Sequence, residues 1–212
     1  MSSIAAIRKD YKLKTLSELE IDANPIKQFG SWWDEAISSH IDEVNAMTLA
    51  TATLQGKPSA RIVLLKGYDE QGFCFFTNYE SHKGAELAAN PQSSLVFFWK
   101  ELERQVRIEG IIEKLTPAEN DVYFLSRPAG SRIGAWASPQ SKVIKHSELD
   151  DNVKKYEKEF ANAPTKRPDF WGGYRVKPQL LEFWQGRPSR LHDRIQYSLQ
   201  ENKQWKIERL AP

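Results

Sequence analysis

From Ile26 to Ile37 apolar side chains recur at helical spacing, with Ile26, Phe29, Trp32, Trp33, Ala36 and Ile37 on one stripe. Asn24 is a natural cap and Pro25 a natural first helical residue, so the pattern predicts a helix that covers a sheet. After Ala46 the period changes to that of strands. Met47 to Leu54, Ala60 to Tyr68 and Phe73 to Asn78 are separated by Gln55-Gly56-Lys57-Pro58 and Asp69-Glu70-Gln71-Gly72, turns short enough to make the strands antiparallel. Ser81 caps a short helix ending near Asn90-Pro91, and a further hairpin follows from Ser94 to Trp99 and Gln105 to Leu115. Thr116 and Glu119 have capping-box spacing at the head of a helix running to about Ser126. Ser147 to Phe160 reads as a charged helix with Leu149, Val153, Tyr156 and Phe160 as its apolar stripe. Strands resume at Trp171 to Val176, Leu180 to Trp184, Leu191 to Leu199 and Trp205 to Leu210. Many strands with short connections indicate a mainly β barrel or sandwich with flanking α-helices.

Residues 1–24 lack such periodicity. Their charges of both signs and scattered leucines read as a flexible arm, which leaves 25–212 as a single domain. The 212 residues, 40% hydrophobic, suffice for one substantial core. Lys plus Arg at 30 against Asp plus Glu at 28 is too balanced for a chain whose main partner is nucleic acid. No apolar run approaches the length of a membrane span and none at the N-terminus has signal-peptide character, so a cytoplasmic protein is expected. The single cysteine, Cys74, lies in an apolar run, which excludes a disulfide framework, leaves no metal-ligand cluster and suits a buried, inert thiol.

Candidate chemistry lies in a few segments. In an extended strand Arg190, His192 and Arg194 would share one face, opposite Leu191, Asp193 and Ile195. Such a face fits either an anionic ligand or a solvated, basic edge strand. Arg61 and Lys66 bracket Ile62, Val63, Leu64 and Leu65, and either mark strand ends or offer one basic group to each of two ligands. Ser81-His82-Lys83 opens a helix, where backbone N–H groups and the lysine favour phosphate. Tyr123, Arg127 and Ser131 are four apart and suit the oxygens of a phosphate monoester, although a helix end with an arginine near its carbonyls reads the same way. Gln105, Gln140 and Ser141 either bond a heterocycle or serve turns. No glycine-rich dinucleotide fingerprint and no Walker-type loop occurs, so any nucleotide needs a different pocket.

Taken together and in order, these segments resemble the pyridoxamine 5'-phosphate oxidase family. The resemblance rests on RIVLLK at Arg61 to Lys66, FFTNYESHK at Phe75 to Lys83, LERQVRIEG at Leu102 to Gly110 and SRP at Ser126 to Pro128. It continues through IGAWASPQS at Ile133 to Ser141, FWGGYRV at Phe170 to Val176, EFWQG and RLHDR between Glu182 and Arg194, and WKIERLAP at the end. It spans Arg8 to Pro212. It implies an FMN-binding split β-barrel, assembled as a homodimer with FMN at the interface, with no nucleic-acid or membrane partner. The implied activity is oxidation of pyridoxamine or pyridoxine 5'-phosphate to pyridoxal 5'-phosphate, with dioxygen reduced to hydrogen peroxide.

By resemblance, the FMN set is Arg61, Ile62, Val63, Leu64, Leu65, Lys66, Phe76, Thr77, His82, Lys83, Gln105, Gln140, Ser141, Trp184 and Arg194. Lys66, Tyr123, Arg127 and Ser131 would hold the substrate phosphate, and Arg190 and His192, with Leu191 between them, the pyridine ring as catalytic residues. Arg8, Lys9, Asp10 and Tyr11 match a stretch that folds over the substrate. His82 stands where the family usually has arginine, so FMN binding is expected to weaken as pH rises through the His82 titration. The alternatives are a split-barrel flavin reductase with a nicotinamide donor and a non-catalytic carrier of pyridoxal phosphate. Neither requires the whole set.

Overall fold

The computed structural model describes residues 4–6 and 9–212. A short 3-10 turn occupies Ile4–Ala6, and among the described residues the next helix or strand is α1 (Pro25–Ser38). The chain continues as β1 (Ala46–Ala52), β2 (Pro58–Leu64), β3 (Gly67–Asp69), β4 (Gly72–Asn78), α2 (His82–Ala89), β5 (Gln92–Trp99) and β6 (Arg104–Lys114). Three helices follow, α3 (Pro117–Ser126), α4 (Ala129–Ala137) and α5 (His146–Glu159), before β7 (Trp171–Gln185), β8 (Asp193–Leu199) and β9 (Trp205–Leu210).

Strand order in the sheet is β2-β1-β5-β6-β7-β4-β3, with β8 paired to β7 and β9 to β8. The two strands expected at Trp171 to Val176 and Leu180 to Trp184 are one strand, β7. Pro178 explains why the pattern looks interrupted: it has no N–H to donate to a ladder. Antiparallel pairing with β4 ends at Val176, opposite Phe73, and pairing with β8 begins at Leu180, opposite Ser198. The strand expected over Ala60 to Tyr68 is, conversely, broken into β2 and β3, with Leu65 and Lys66 between them.

The chain divides into two compact units, one of Met1–Leu49, Ser94–Gly110 and Pro178–Pro212, the other of Ala50–Ser93 and Ile111–Lys177. In the first unit α1 lies on strands through Phe29, whose ring is 5.3 Å from that of Phe97, and Trp32, 5.2 Å from Phe183. Asn24 caps α1 as expected, accepting from the backbone N–H groups of Ile26 and Lys27. The buried stripe is narrower than expected, because Ile37 is 51% exposed and the polar Gln28 is buried in its place. Gln28 accepts the Asp22 N–H at 2.9 Å, which satisfies its side chain there.

In the second unit Phe73, Phe75, Tyr174 and Val176 form the interior of the β4–β7 pair. The Thr116 and Glu119 capping box is present, and α5 packs on α4 by setting Tyr156 and Phe160 against Trp136. Helix α4 was not legible as an element, since Pro128 reads as a break while in fact it caps the new helix. Cys74 is half-buried, and burial pushes its thiol up, which agrees with an inert role. Among the described residues no helix is long and apolar enough to cross a membrane.

Candidate functional site

A groove of about 600 Å³ opens within the second unit. Its floor comes from strands: Ile62, Val63 and Leu64 of β2, Lys66 just beyond it, and Phe76 and Thr77 of β4. Lys66 is braced through its backbone, whose N–H donates to the Cys74 carbonyl at 2.8 Å. The cap of α2 sets Lys83: the Ser81 hydroxyl accepts the Gly84 N–H, turning the helix so that Lys83 reaches the groove. Its ammonium donates to Thr77 Oγ1 at 3.2 Å and Gln140 Oε1 at 3.3 Å. Thr77 in turn donates to the same Gln140 oxygen at 3.1 Å.

The opposite wall comes from the junction of α3 and α4. Tyr123 stacks on Phe76 with ring centroids 3.8 Å apart and lies nearly parallel to Trp171 at 6.1 Å. Arg127 leaves α3 at its C-terminal cap and lays its guanidinium 4.5 Å from the Trp171 ring centroid. Pro128 then redirects the chain so that Ser131, in the first turn of α4, faces the same groove.

The electrostatics of this groove are one-sided. Lys66, Lys83 and Arg127 line it and no aspartate or glutamate does. Burial pulls both Lys83 and Arg127 below their ordinary values, with the Arg61 charge adding to the effect on Lys83. Burial also raises Tyr123, against the pull of Arg127. Arg127 Nη1 is buried with no hydrogen-bond partner among the described residues. A buried donor left unpaired is costly, so the arrangement calls for an anionic ligand.

Not every residue expected in the flavin set is on the lining. Leu65 is buried at 4% exposure, and Ser141 lies in the following loop at a positive φ of 68°. Arg61 turns to Thr51 Oγ1 (2.6 Å), Ser59 Oγ (2.5 Å) and Glu86 Oε2 (3.4 Å). Glu86 also meets His82 Nε2 at 3.0 Å through its other oxygen. Burial pushes the Glu86 carboxyl up. Bonds from Ser59 and Thr51 and the charges of His82 and Arg61 outweigh that and hold it below the ordinary range.

The remaining expected residues belong to the first unit. Gln105 is half-buried on β6, and Trp184 and Arg194 are cross-strand partners on β7 and β8. Arg194 forks onto Glu182 at 2.8 and 3.1 Å, and Arg107 reaches the same carboxylate at 2.6 Å. The extended face proposed for Arg190, His192 and Arg194 does not form. Ser189 and Arg190 adopt left-handed φ of 56° and 62°, β8 starts only at Asp193, and the Arg194 charge is already matched by Glu182. Alternation fails where the backbone turns.

That turn instead folds His192 against Trp184, centroids 4.6 Å apart, and brings Tyr11 of the arm within 5.7 Å of Trp184 and 6.0 Å of His192. The backbone N–H of Arg187 donates to His192 Nδ1 at 3.1 Å, so the neutral ring carries its proton on Nε2. Lys9, Asp10, Tyr11, Arg190 and His192 line a cavity of about 330 Å³, while Leu191 is 65% exposed. Arg8 lies outside the described residues. Trp171 and Arg187 were missed from the sequence. The first reads as a strand residue and the second as one more surface arginine.

Residues 33–155 match the family model described as pyridoxamine 5'-phosphate oxidase, and residues 171–212 match that of the pyridoxine 5'-phosphate oxidase C-terminal dimerisation region. A pyridoxine/pyridoxamine 5'-phosphate oxidase of Ralstonia nicotianae is 57% identical over 213 residues, covering 100% of both chains. One from Trichormus variabilis is 54% identical over 211 residues, covering 99% of each. Among solved structures, PhzG from Burkholderia lata, in complex with tetrahydrophenazine-1-carboxylic acid, superposes with a TM-score of 0.88 at 29% identity, over 94% of this chain and 99% of that one. A pyridoxamine 5'-phosphate oxidase-related, FMN binding protein of Nostoc punctiforme shares the fold at a TM-score of 0.72 and 16% identity, over 91% and 100%.

Proposed function

Because the chain belongs to the pyridoxamine 5'-phosphate oxidase family, we propose that it is an FMN-dependent oxidase of pyridoxamine and pyridoxine 5'-phosphates. Pyridoxamine phosphate, dioxygen and water give pyridoxal phosphate, ammonia and hydrogen peroxide. The alcohol substrate gives the same aldehyde and peroxide without ammonia. The observation that carries this reading is the groove of the second unit, with its three cations, no acid and one buried guanidinium nitrogen left unpaired. Phosphorylated ligands match it in charge and in donor geometry.

The chemistry FMN supplies when bound is acceptance of two electrons from the substrate and their delivery to dioxygen. In this reading Arg61, Lys83, Thr77 and Gln140 hold the cofactor, with Ile62 to Leu64 and Phe76 as apolar surface. Lys66, Tyr123, Arg127 and Ser131 clamp the substrate phosphate, remote from the reacting carbon, so that binding energy fixes the ring's position. Arg190 and His192 hold the pyridine ring. The proton on His192 Nε2 is directed by the Arg187 bond to Nδ1, which leaves a donor for developing negative charge. A homodimer agrees with the dimerisation region at 171–212, and FMN at the subunit interface and a cytoplasmic location complete the proposal.

The test is the visible spectrum of the protein loaded with FMN, before and after anaerobic addition of pyridoxamine 5'-phosphate. Bleaching of the flavin band, restored by air with formation of pyridoxal phosphate, is the expected result. A bound flavin that stays oxidised until a nicotinamide donor is added would overturn the reading in favour of a reductase, and failure to bind flavin would favour a carrier.

A further inference from the structure

Glu103 is a buried carboxylate whose partners come from the N-terminal arm. It sits at the end of the 3-10 turn Lys100–Leu102 with a left-handed φ of 54°, and its side chain is 4% exposed. Its Oε2 accepts the consecutive backbone N–H groups of Lys12 (2.8 Å) and Leu13 (3.1 Å), and the Lys9 ammonium lies 3.4 Å from Oε1. Among the described residues, each hydrogen-bond or ion-pair partner of this carboxylate is an arm group. The Glu103 main chain, by contrast, is fastened to the end of β7. Its carbonyl accepts the Gly186 N–H at 2.7 Å and Gln185 Nε2 at 3.2 Å. The direction of the carboxylate is therefore set by the sheet and not by the arm.

The arm residues so held are the ones that wall the cavity around His192. Tyr11 directly precedes the first N–H bound by Glu103, and its ring lies against Gly186, where an added Cβ would come within 2.7 Å of Tyr11 Cγ. A second buried carboxylate, Asp193, accepts the Leu16 N–H at 3.0 Å, and Arg209 donates to the Leu16 carbonyl at 2.8 Å. Asp193 alone would anchor the arm five residues beyond Tyr11. Lys14 also pairs with Glu35, but among the described residues Glu103 is the acceptor of the two backbone N–H groups that directly follow Tyr11.

We infer that Glu103 is a positioning residue for the oxidase reaction: through Lys9, Lys12 and Leu13 it holds Tyr11 against Trp184 and His192 as a wall of the substrate cavity. The inference rests on the proposed activity for its functional meaning, but the latch itself is a physical claim that stands or falls without turnover. Hydrogen bonds to a charged group contribute about 1.5–3 kcal/mol, a factor of roughly 10 to 100 in the closed population.

The experiment uses the full chain loaded with FMN and compares the parent with Glu103→Ala, Glu103→Gln and Lys12→Pro. Lys12→Pro deletes one arm donor without touching the sheet, and so keeps the inference testable if Glu103→Ala fails to fold. Trypsin cleavage at Lys9 and Lys14, sites that parent and variants share, is expected to be about tenfold faster in Glu103→Ala and Lys12→Pro. The KM for pyridoxamine phosphate should rise by about tenfold with flavin reduction at saturating substrate changed less, and Glu103→Gln, which keeps the acceptor, should fall between. Unchanged cleavage overturns the latch. Faster cleavage with KM within about twofold of the parent overturns the positioning role. If pyridoxamine phosphate bleaches neither parent nor variants, the activity reading has failed, and the cleavage rates still decide the latch.

Discussion

The groove of the second unit and the charge clusters around Glu182 and Asp193 in the first both gather basic side chains, but they are built on opposite electrostatic plans. In the first unit two buried acids are surrounded: Glu182 by Arg107 and Arg194, Asp193 by Arg187, Arg209 and the Leu16 N–H. In the groove Lys66, Lys83 and Arg127 share a lining with no acid, and burial disfavours the charged forms of Lys83 and Arg127. Matched charge holds geometry, whereas unmatched charge at a partly buried site waits for a ligand. The contrast predicts that removing a charge will have opposite consequences in the two places.

The largest effect should come from breaking a matched set. Glu182 is 3% exposed in its side chain, and Glu182→Gln takes from two mostly covered arginines the carboxylate they share, leaving Arg107 only Glu109 and Arg194 only the Ala211 carbonyl among the described residues. A loss of about 3 kcal/mol is expected, read as a fall in unfolding midpoint of the apo protein. An unchanged midpoint would mean that this cluster, too, is a ligand site. Acid tests the same plan. Despite burial, which raises it, hydrogen bonds from Arg194 and Arg107 hold Glu182 below its ordinary value, and the Leu16 N–H with Arg187 and Arg209 does so for Asp193. Groups whose folded-state pKa is depressed stabilise above the unfolded value and lose that contribution as pH falls through the folded one. Thermal stability should therefore be flat from neutral pH to about 5 and decline below about 4.

Arg127→Ala is the next largest. It removes a charged donor from the expected phosphate clamp while leaving the Phe76, Tyr123 and Trp171 stack in place. KM for pyridoxamine phosphate should rise by about 30- to 100-fold, the equivalent of roughly 2–3 kcal/mol, with kcat little altered. A fall in kcat alone would remove Arg127 from the clamp. Lys83→Met sharpens the comparison further, because the lysine is partly buried with no acid on the groove lining. FMN affinity should fall about tenfold while the apo protein melts no lower than the parent, a separation of function from stability that Glu182→Gln cannot show.

These predictions also mark what the chain reveals before it folds. Local chemistry was legible: Asn24 and Thr116 cap the helices expected of them, and the 3.6-residue and two-residue periods located most elements. What was lost depends on backbone geometry and distant pairing. Pro128 reads as a stop yet begins α4, and Pro178 divides into two what is one strand. The alternation drawn through Arg190, His192 and Arg194 assumed extended backbone, and two left-handed residues invalidate it. The arm is the clearest case. Its docking uses its own backbone N–H groups on Glu103 and Asp193, and backbone donors leave no mark in a residue pattern. Of the residues expected to clamp a phosphate, all of Lys66, Tyr123, Arg127 and Ser131 converge on one groove, but Trp171, which supports Arg127, has no signal beyond lying in an aromatic strand.

The smallest expected effect concerns His82, which stands between the two plans. It is 64% exposed, and its Nε2 is 3.0 Å from Glu86, whose other oxygen takes Thr51, Ser59 and Arg61. The imidazole thus brings one donor to the start of α2, beside Lys83, and takes the Glu86 oxygen that Arg61 leaves. An arginine at this position offers a permanently charged planar fork in place of one donor, and positive charge at a helix start favours an anion. His82→Arg should therefore lower the FMN dissociation constant by about threefold at neutral pH. Titration of apo parent and variant with FMN measures this. A variant that binds no more tightly than the parent would show that Arg61 and Lys83 set the charge at this helix start without residue 82.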